Sequence, residues 1–147
     1  MMAGTASRVS REILFLNRPE IGEVAEAIPA GEIGSSTNPH KRNPVFSQHN
    51  VGLARLVRSN ADAMNELTEP MGDRDRSGWY AEFAVIPETC CYLARILENT
   101  KQNLAGLSVD SEAMERNIQR AGPLIASEAV MMALATHVGR QTAHDVV

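Results

Sequence analysis

"VFSQHNVGLARLVRSNADAMNEL", residues 45–67, decides the fold class. Leu53, Leu56, Val57, Ala61 and Met64 recur at the spacing i, i+3, i+4, i+8 and i+11, one stripe along a helix. Arg55, Arg58 and Asp62 fall off that stripe. A half-buried strand would alternate every second residue, and this stretch does not. The spacing predicts a helix of ~23 residues, about 35 Å long from the helical rise per residue.

The same period continues on both sides. Upstream, Val9, Ile13, Leu14 and Leu16 lie at helical spacing within residues 5–17. Pro19 interrupts, and Ile21, Val24 and Ala25 are expected to resume a short helical turn. Downstream, residues 79–104 read as a second long helix carrying Val85, Ile86, Leu93, Ile96 and Leu97. Pro87 falls inside it, where a proline removes one hydrogen bond and kinks the axis. Ser108 and Asp110 offer N-caps for a short helix through Gln119. Gly122 and Pro123 stop that helix, another runs over residues 124–137 to Gly139, and residues 142–147 begin one more. No strand pattern competes, and the expected class is all-α. Two helices longer than a chain of this size needs imply apolar surface buried against other chains.

Composition agrees. Hydrophobic residues are 44% and charged residues 22%, the balance of a soluble globular protein. A formal net charge of −4 gives no pull towards nucleic acid or an anionic membrane, and neither partner is expected. No apolar run is long enough to span a bilayer. The cysteines, Cys90 and Cys91, are neighbours with no loop to staple. They read as buried small hydrophobes on a helix in a reducing, cytoplasmic setting.

A polar loop precedes each long helix. The first holds "GSSTNPHKRNP", residues 34–44. Ser35 and Ser36 supply hydroxyls, Lys41 and Arg42 cations, and Asn43 an amide, while Pro39 and Pro44 restrict the backbone. Such donors suit a carboxylate or phosphate, and equally a solvated connection between helices. The P-loop pattern is absent. The second loop, residues 68–78, holds Asp73, Arg74, Asp75 and Arg76, ahead of Trp79 and Glu82. An arginine there would suit a bidentate carboxylate contact. His40, His49, His137 and His144 show no metal-ligand spacing, so no metal is expected.

The first loop resembles the signature of the fumarase/aspartase superfamily, G-S-S-x-M-P-x-K-x-N-P. Gly34, Ser35, Ser36, Pro39, Lys41, Asn43 and Pro44 match, and Asn38 stands where the pattern has methionine. The spelling P-H-K-R-N-P is similar to the branch holding adenylosuccinate lyase and 3-carboxy-cis,cis-muconate cycloisomerase. In the second loop "RDRSGWYAEF", residues 74–83, resembles the cycloisomerase pattern R-D-x-x-x-W-x-x-E-W. The usual H-E ahead of it is replaced by Gly72-Asp73.

The resemblance implies the later part of a central helical-bundle domain over residues 1–107, with the signature loop at 31–44. Residues 108–147 would start the C-terminal helical domain. It implies β-elimination or its reverse on a small di- or tricarboxylate, with Ser35 as base. Ser36, Lys41, Asn43 and Arg74 would bind substrate, and no cofactor would be needed. Active sites of the superfamily combine regions from different subunits of a homotetramer. The chain is therefore expected to be partial and inactive alone, working as a homo-oligomer or with a complementing N-terminal half. An adenylosuccinate lyase-like activity and an inactive helical oligomerisation module are the alternatives.

Overall fold

Small residues, more than large apolar ones, make the packed faces of this protein. The computed structural model describes residues 1–27, 43–68, 72–73 and 75–147. Helix α1, Met2–Leu16, buries Ala3, Ala6, Ser7, Ser10 and Ile13, a line at helical spacing. Of the four apolar residues that mark this helix in the sequence only Ile13 is fully buried; Val9, Leu14 and Leu16 are half-buried. Helix α2, Val45–Asn65, ends in a single 3-10 turn, Glu66–Thr68. Its buried residues are Phe46, Ser47, Asn50 and Ala54. The expected stripe is displaced: Leu53 and Val57 pack in part, while Leu56 and Ala61 are exposed.

Helix α3, Ser77–Ala105, runs 29 residues and continues through Pro87. Proline removes the bond to the carbonyl of Phe83, and both residues are exposed, so that carbonyl can turn to water. The buried residues of α3 are Ile96, Asn99 and Asn103, all in its second half.

These three helices share one core. Ala3 and Ala6 of α1, Ala54 of α2 and Ile96 of α3 are its buried members, with Leu53, Val57 and Leu93 packed around them. Burying Ile96 contributes about 1.5–3 kcal/mol. Alongside runs a polar seam. The Asn50 amide donates to Ser10 Oγ at 3.2 Å and to Thr100 Oγ1 at 3.1 Å, and the Asn99 amide donates to Asn50 Oδ1 at 3.1 Å. Hydrophobic periodicity points past such a seam, because Ser47 and Asn50, two of the four buried residues of α2, are polar and satisfied across the interface.

Two short strands complete this unit. Strand β1, Val24–Ala25, pairs antiparallel with β2, Ser108–Val109, in the register Val24 to Val109 and Ala25 to Ser108. Val24 and Ala25 are therefore extended, not a helical turn, and Ser108 lies in β2 rather than capping a helix. Two-residue strands are too short to show any period. Cys90 and Cys91 are exposed on α3, not buried as expected. They sit ahead of the stretch of α3 that enters the core.

Met1–Asp110 and Ser111–Val147 are two compact units. In the second, α4, Ser111–Ala121, leads through a 3-10 stretch, Gly122–Ala126, to α5, Ser127–Val138, and α6, Arg140–Val146. Gly139, at φ +84°, turns the chain between α5 and α6, a conformation that costs glycine little. Ala143 of α6 is completely buried. Among the described residues no single helix is long and apolar enough to cross a membrane.

Candidate functional site

The first loop delivers the chain to α2, and the amino end of α2 poses a problem. Pro44 at the N-cap has no side-chain acceptor, and the first turn carries no acid. The leading N–H groups of a helix have no partner within it and need one. The Val45 N–H donates to the Asn43 carbonyl at 2.9 Å. The next two N–H groups reach Glu26, 20 and 21 residues upstream: Phe46 donates to Oε2 at 2.7 Å and Ser47 to Oε1 at 3.0 Å. The Ser47 hydroxyl adds a bond to Oε1 at 2.7 Å. The Asn103 amide, from α3, donates to the same oxygen and to Ser47 Oγ.

Glu26 is only 4% exposed. A buried carboxylate without donors would be costly; this one faces four donor groups and the positive end of a helix dipole. The consequence for ligand binding is direct. Helix amino ends are ready-made anion sites, and on α2 that site is filled by the protein's own carboxylate.

The segment that carries Glu26 is fixed as well. Strand pairing holds Val24 and Ala25, the Asn17 amide donates to the Val24 carbonyl at 3.0 Å, and the Asp110 N–H donates to the Glu23 carbonyl at 2.9 Å. Ala27 then crosses the end of α3 so closely that a Cβ placed on Gly106 would stand 2.6 Å from the Ala27 Cβ. Glycine is required at 106 by this contact, since real carbon atoms do not approach so near.

Of the expected site residues, Asn43 is exposed immediately before α2. Ser35, Ser36 and Lys41 lie in 28–42, outside the described residues, and so does Arg74. The structure thus places the two ends of the first loop and one of its candidate contacts. In the second loop the Asp75 carboxylate accepts from the Ser77 N–H at 2.8 Å and starts α3 locally. The Arg76 guanidinium lies 5.6 Å from the centre of the Trp79 ring. A pocket of about 220 Å³ beside them is lined by Glu66, Asp75 and Glu82 together with Leu67, Ser77, Gly78 and Trp79. Among the described residues no group of His, Cys, Asp and Glu is arranged to hold a metal ion.

One further polar cluster ties α2 to α3 at the surface. The Tyr92 hydroxyl donates to Glu88 Oε1 at 2.7 Å, and the Asn60 amide to Glu88 Oε2 at 3.0 Å. The Tyr92 bond, then the Asn60 bond, hold the Glu88 carboxyl below its ordinary range. The same bond to Glu88 pushes the Tyr92 hydroxyl up.

Sequence reasoning passed over Glu26, Ser47 and Asn103. The usable signal was negative: a long helix whose start, "NPVFS" at residues 43–47, has neither a capping side chain at Pro44 nor an acid in its first turn. Such a helix needs a remote acceptor, and Glu26 is one of several acids upstream.

Comparison with known proteins agrees with this architecture. A family model described as a lyase matches residues 1–58. The 3-carboxy-cis,cis-muconate cycloisomerase of Pseudomonas aeruginosa is 37% identical over 147 residues, all of this chain and 32% of that protein. The adenylosuccinate lyase of Pyrococcus horikoshii is 38% identical over 149 residues, covering 100% of this chain and 33% of the relative. The crystal structure of the 3-carboxy-cis,cis-muconate lactonizing enzyme from Pseudomonas putida superposes with a TM-score of 0.84 at 34% identity, over 99% of this chain and 32% of that one. The chain therefore spans about a third of the length of the relatives it matches, 32% and 33% in these cases. The signature loop, the helical fold and these likenesses together support the fumarase/aspartase superfamily.

Proposed function

We propose that this chain supplies the base-bearing loop of a lyase or cycloisomerase acting at the carbon β to a carboxylate, with 3-carboxy-cis,cis-muconate as the favoured substrate. The observation that carries the reading is the loop "GSSTNPHKRNP" leading directly into α2, whose amino end is already occupied by Glu26. Carboxylate recognition then falls to the loop's own Ser36, Lys41 and Asn43, with Arg74 of the second loop as a further contact.

In the elimination direction Ser35 removes the proton α to the carboxylate, and the electron pair displaces the bond at the β carbon. In the lactonising direction a substrate carboxylate oxygen adds to the double bond, one C–O bond forms, and the Ser35 hydroxyl returns a proton to the α carbon. A serine hydroxyl is a weak base unless its anion is stabilised, and Lys41 with the loop's N–H groups would provide that. The same donors would stabilise charge developing on the substrate carboxylate. No organic cofactor enters this scheme.

Residues 1–107 are taken as the later part of a central bundle and residues 108–147 as the start of the following domain. Assembly with other chains is supported by the apolar groups that α3 leaves exposed, among them Trp79, Tyr80, Phe83 and Ile86. A second reading, an adenylosuccinate-type C–N lyase, is favoured by the 38% identity to the Pyrococcus horikoshii relative. An oligomerisation module without turnover is the third.

The test is reconstitution. The chain is mixed with the separately expressed N-terminal region of the Pseudomonas aeruginosa cycloisomerase, and the ultraviolet absorbance of 3-carboxymuconate and of adenylosuccinate is followed. Turnover of the muconate in the mixture, reduced ~10²–10⁴-fold by Ser35→Ala, is the expected result for loss of a general base. Turnover of adenylosuccinate alone selects the second reading. No turnover of either substrate overturns both.

A further inference from the structure

We propose that one buried water molecule bridges the side-chain carbonyls of Asn99 and Asn103 and joins the polar seam of the bundle to the Glu26 cluster. Asn99 is 0% and Asn103 1% exposed, and they stand one turn apart on the same face of α3. Their carbonyl oxygens, Asn99 Oδ1 and Asn103 Oδ1, are closed off from solvent, and among the described residues neither accepts a hydrogen bond. Each amide spends its hydrogens elsewhere. Asn99 donates to Asn50 Oδ1 at 3.1 Å, and Asn103 donates to Glu26 Oε1 and, at 3.1 Å, to Ser47 Oγ. A buried acceptor with no donor loses its hydration and gains nothing, so such groups are almost always bound.

Turning the amides over does not resolve this, because their neighbours fix them. The Ser47 hydroxyl hydrogen goes to Glu26 Oε1 at 2.7 Å, so Ser47 Oγ and the carboxylate can only accept from Asn103. The Asn103 NH2 must face them, and its carbonyl must face away. At Asn99 the constraint arrives through a chain. The Thr100 hydroxyl hydrogen goes to the Ile96 carbonyl at 2.7 Å, so Thr100 Oγ1 accepts from the Asn50 amide at 3.1 Å. That turns Asn50 Oδ1 towards Asn99, which must answer with its NH2. Two acceptors one turn apart therefore need donors, and a water has two hydrogens to give. With hydrogen bonds of about 2.8 Å, one water spans acceptors up to about 5.6 Å apart, the reach of an i, i+4 pair. Buried waters bind such otherwise unsatisfied groups. The bridge makes one network of two: Ser10, Asn50, Thr100 and Asn99 on one side, and Asn103, Ser47 and Glu26 on the other.

The first experiment is a crystal structure of the native chain at a resolution that places ordered waters, with a second crystal soaked in rubidium chloride. The expected result is one density peak within ~3.2 Å of both oxygens and no anomalous rubidium signal at it. A protein N–H or O–H on either oxygen, a peak touching only one of them, no peak at all, or a rubidium signal marking a monovalent cation site would each overturn the proposal. The second experiment is a double-mutant cycle, read by chemical denaturation, on Asn99→Ala and Asn103→Ala. These residues share no direct hydrogen-bond partner, so the bridging water is what couples them. Once one amide is truncated, the water is already lost to the other. The double variant should therefore lose at least ~5-fold less of the folding equilibrium constant than the product of the two single losses. Asn60→Ala combined with Asn103→Ala, a pair with no bridge, should multiply to within ~2-fold. Simple multiplication at Asn99 and Asn103 as well would refute the join between the two networks. Should either variant fail to fold, the crystal of the native chain decides.

Discussion

Helices α2 and α3 both start after a polar loop, but one start is tertiary and the other local. The second and third N–H groups of α2 are satisfied by Glu26, 20 and 21 residues away, inside the protein. The N–H of Ser77 at the start of α3 is satisfied by Asp75, two residues away, in a bond exposed to solvent. A local cap stabilises its helix wherever that helix goes. A remote, buried cap stabilises the helix only when the rest of the unit is in place, so it couples the start of α2 to the packing around it.

This contrast sets the order of mutational effects. Glu26→Ala is expected to cost on the order of 3 kcal/mol, because it orphans buried N–H donors and removes a charge-assisted bond. Chemical denaturation read by far-ultraviolet circular dichroism would measure it, and a loss no larger than that of Asp75→Ala would erase the distinction. Gly106→Ala comes next, at about 1–3 kcal/mol, by forcing a Cβ against Ala27. Here the informative measurement is the double variant: Ala27→Gly removes the opposing carbon and should return most of the lost stability. If the two changes simply add, the contact at 2.6 Å is not what demands glycine.

Asp75→Ala should cost about 1 kcal/mol or less, in the range of an ordinary exposed cap. Its effect should stay near the start of α3 and leave exchange at Phe46 unchanged. The smallest effect is at Glu88, which is fully exposed. Its carboxyl is held below the ordinary range by Tyr92 and Asn60, so its contribution is present above the unfolded-state pKa and fades as the pH falls through the lower folded value. Tyr92, pushed up by Glu88, contributes below its unfolded-state pKa and loses that contribution as the pH rises through its folded value. Glu88→Gln should lower stability slightly at neutral pH, leave it unchanged at a pH below both pKa values, and so flatten the acid side of a thermal-melting pH profile.

How much of this was legible follows from where each interaction lives in the chain. Long amphipathic stretches declared α1, α2 and α3, because period and length are properties of contiguous residues. The inward faces were misjudged, because Leu56 and Ala61 belong to the apolar stripe while Ser47, Asn50 and Ala54 do the packing. Polar residues satisfied across an interface look like surface residues in a sequence. Strand β1, Val24–Ala25, is too short to show a period of its own, so its spacing looks like that of a helical turn. The site divided along the same line: the signature loop announced itself by its spelling, whereas Glu26 acts through space and has no spelling at all.

The seam of Asn50, Asn99, Ser10 and Thr100 has one more consequence. Alanines and a lone isoleucine would let α2 slide along α3 by a helical turn, about 5.4 Å, with little change in contact area. Interlocking amides forbid that slide, since each displaced pair would leave buried donors with nothing to bind. The seam therefore acts as a vernier for the bundle: it admits one alignment of the helices, and through Asn103 and Ser47 it passes that alignment to the carboxylate at which the loop begins.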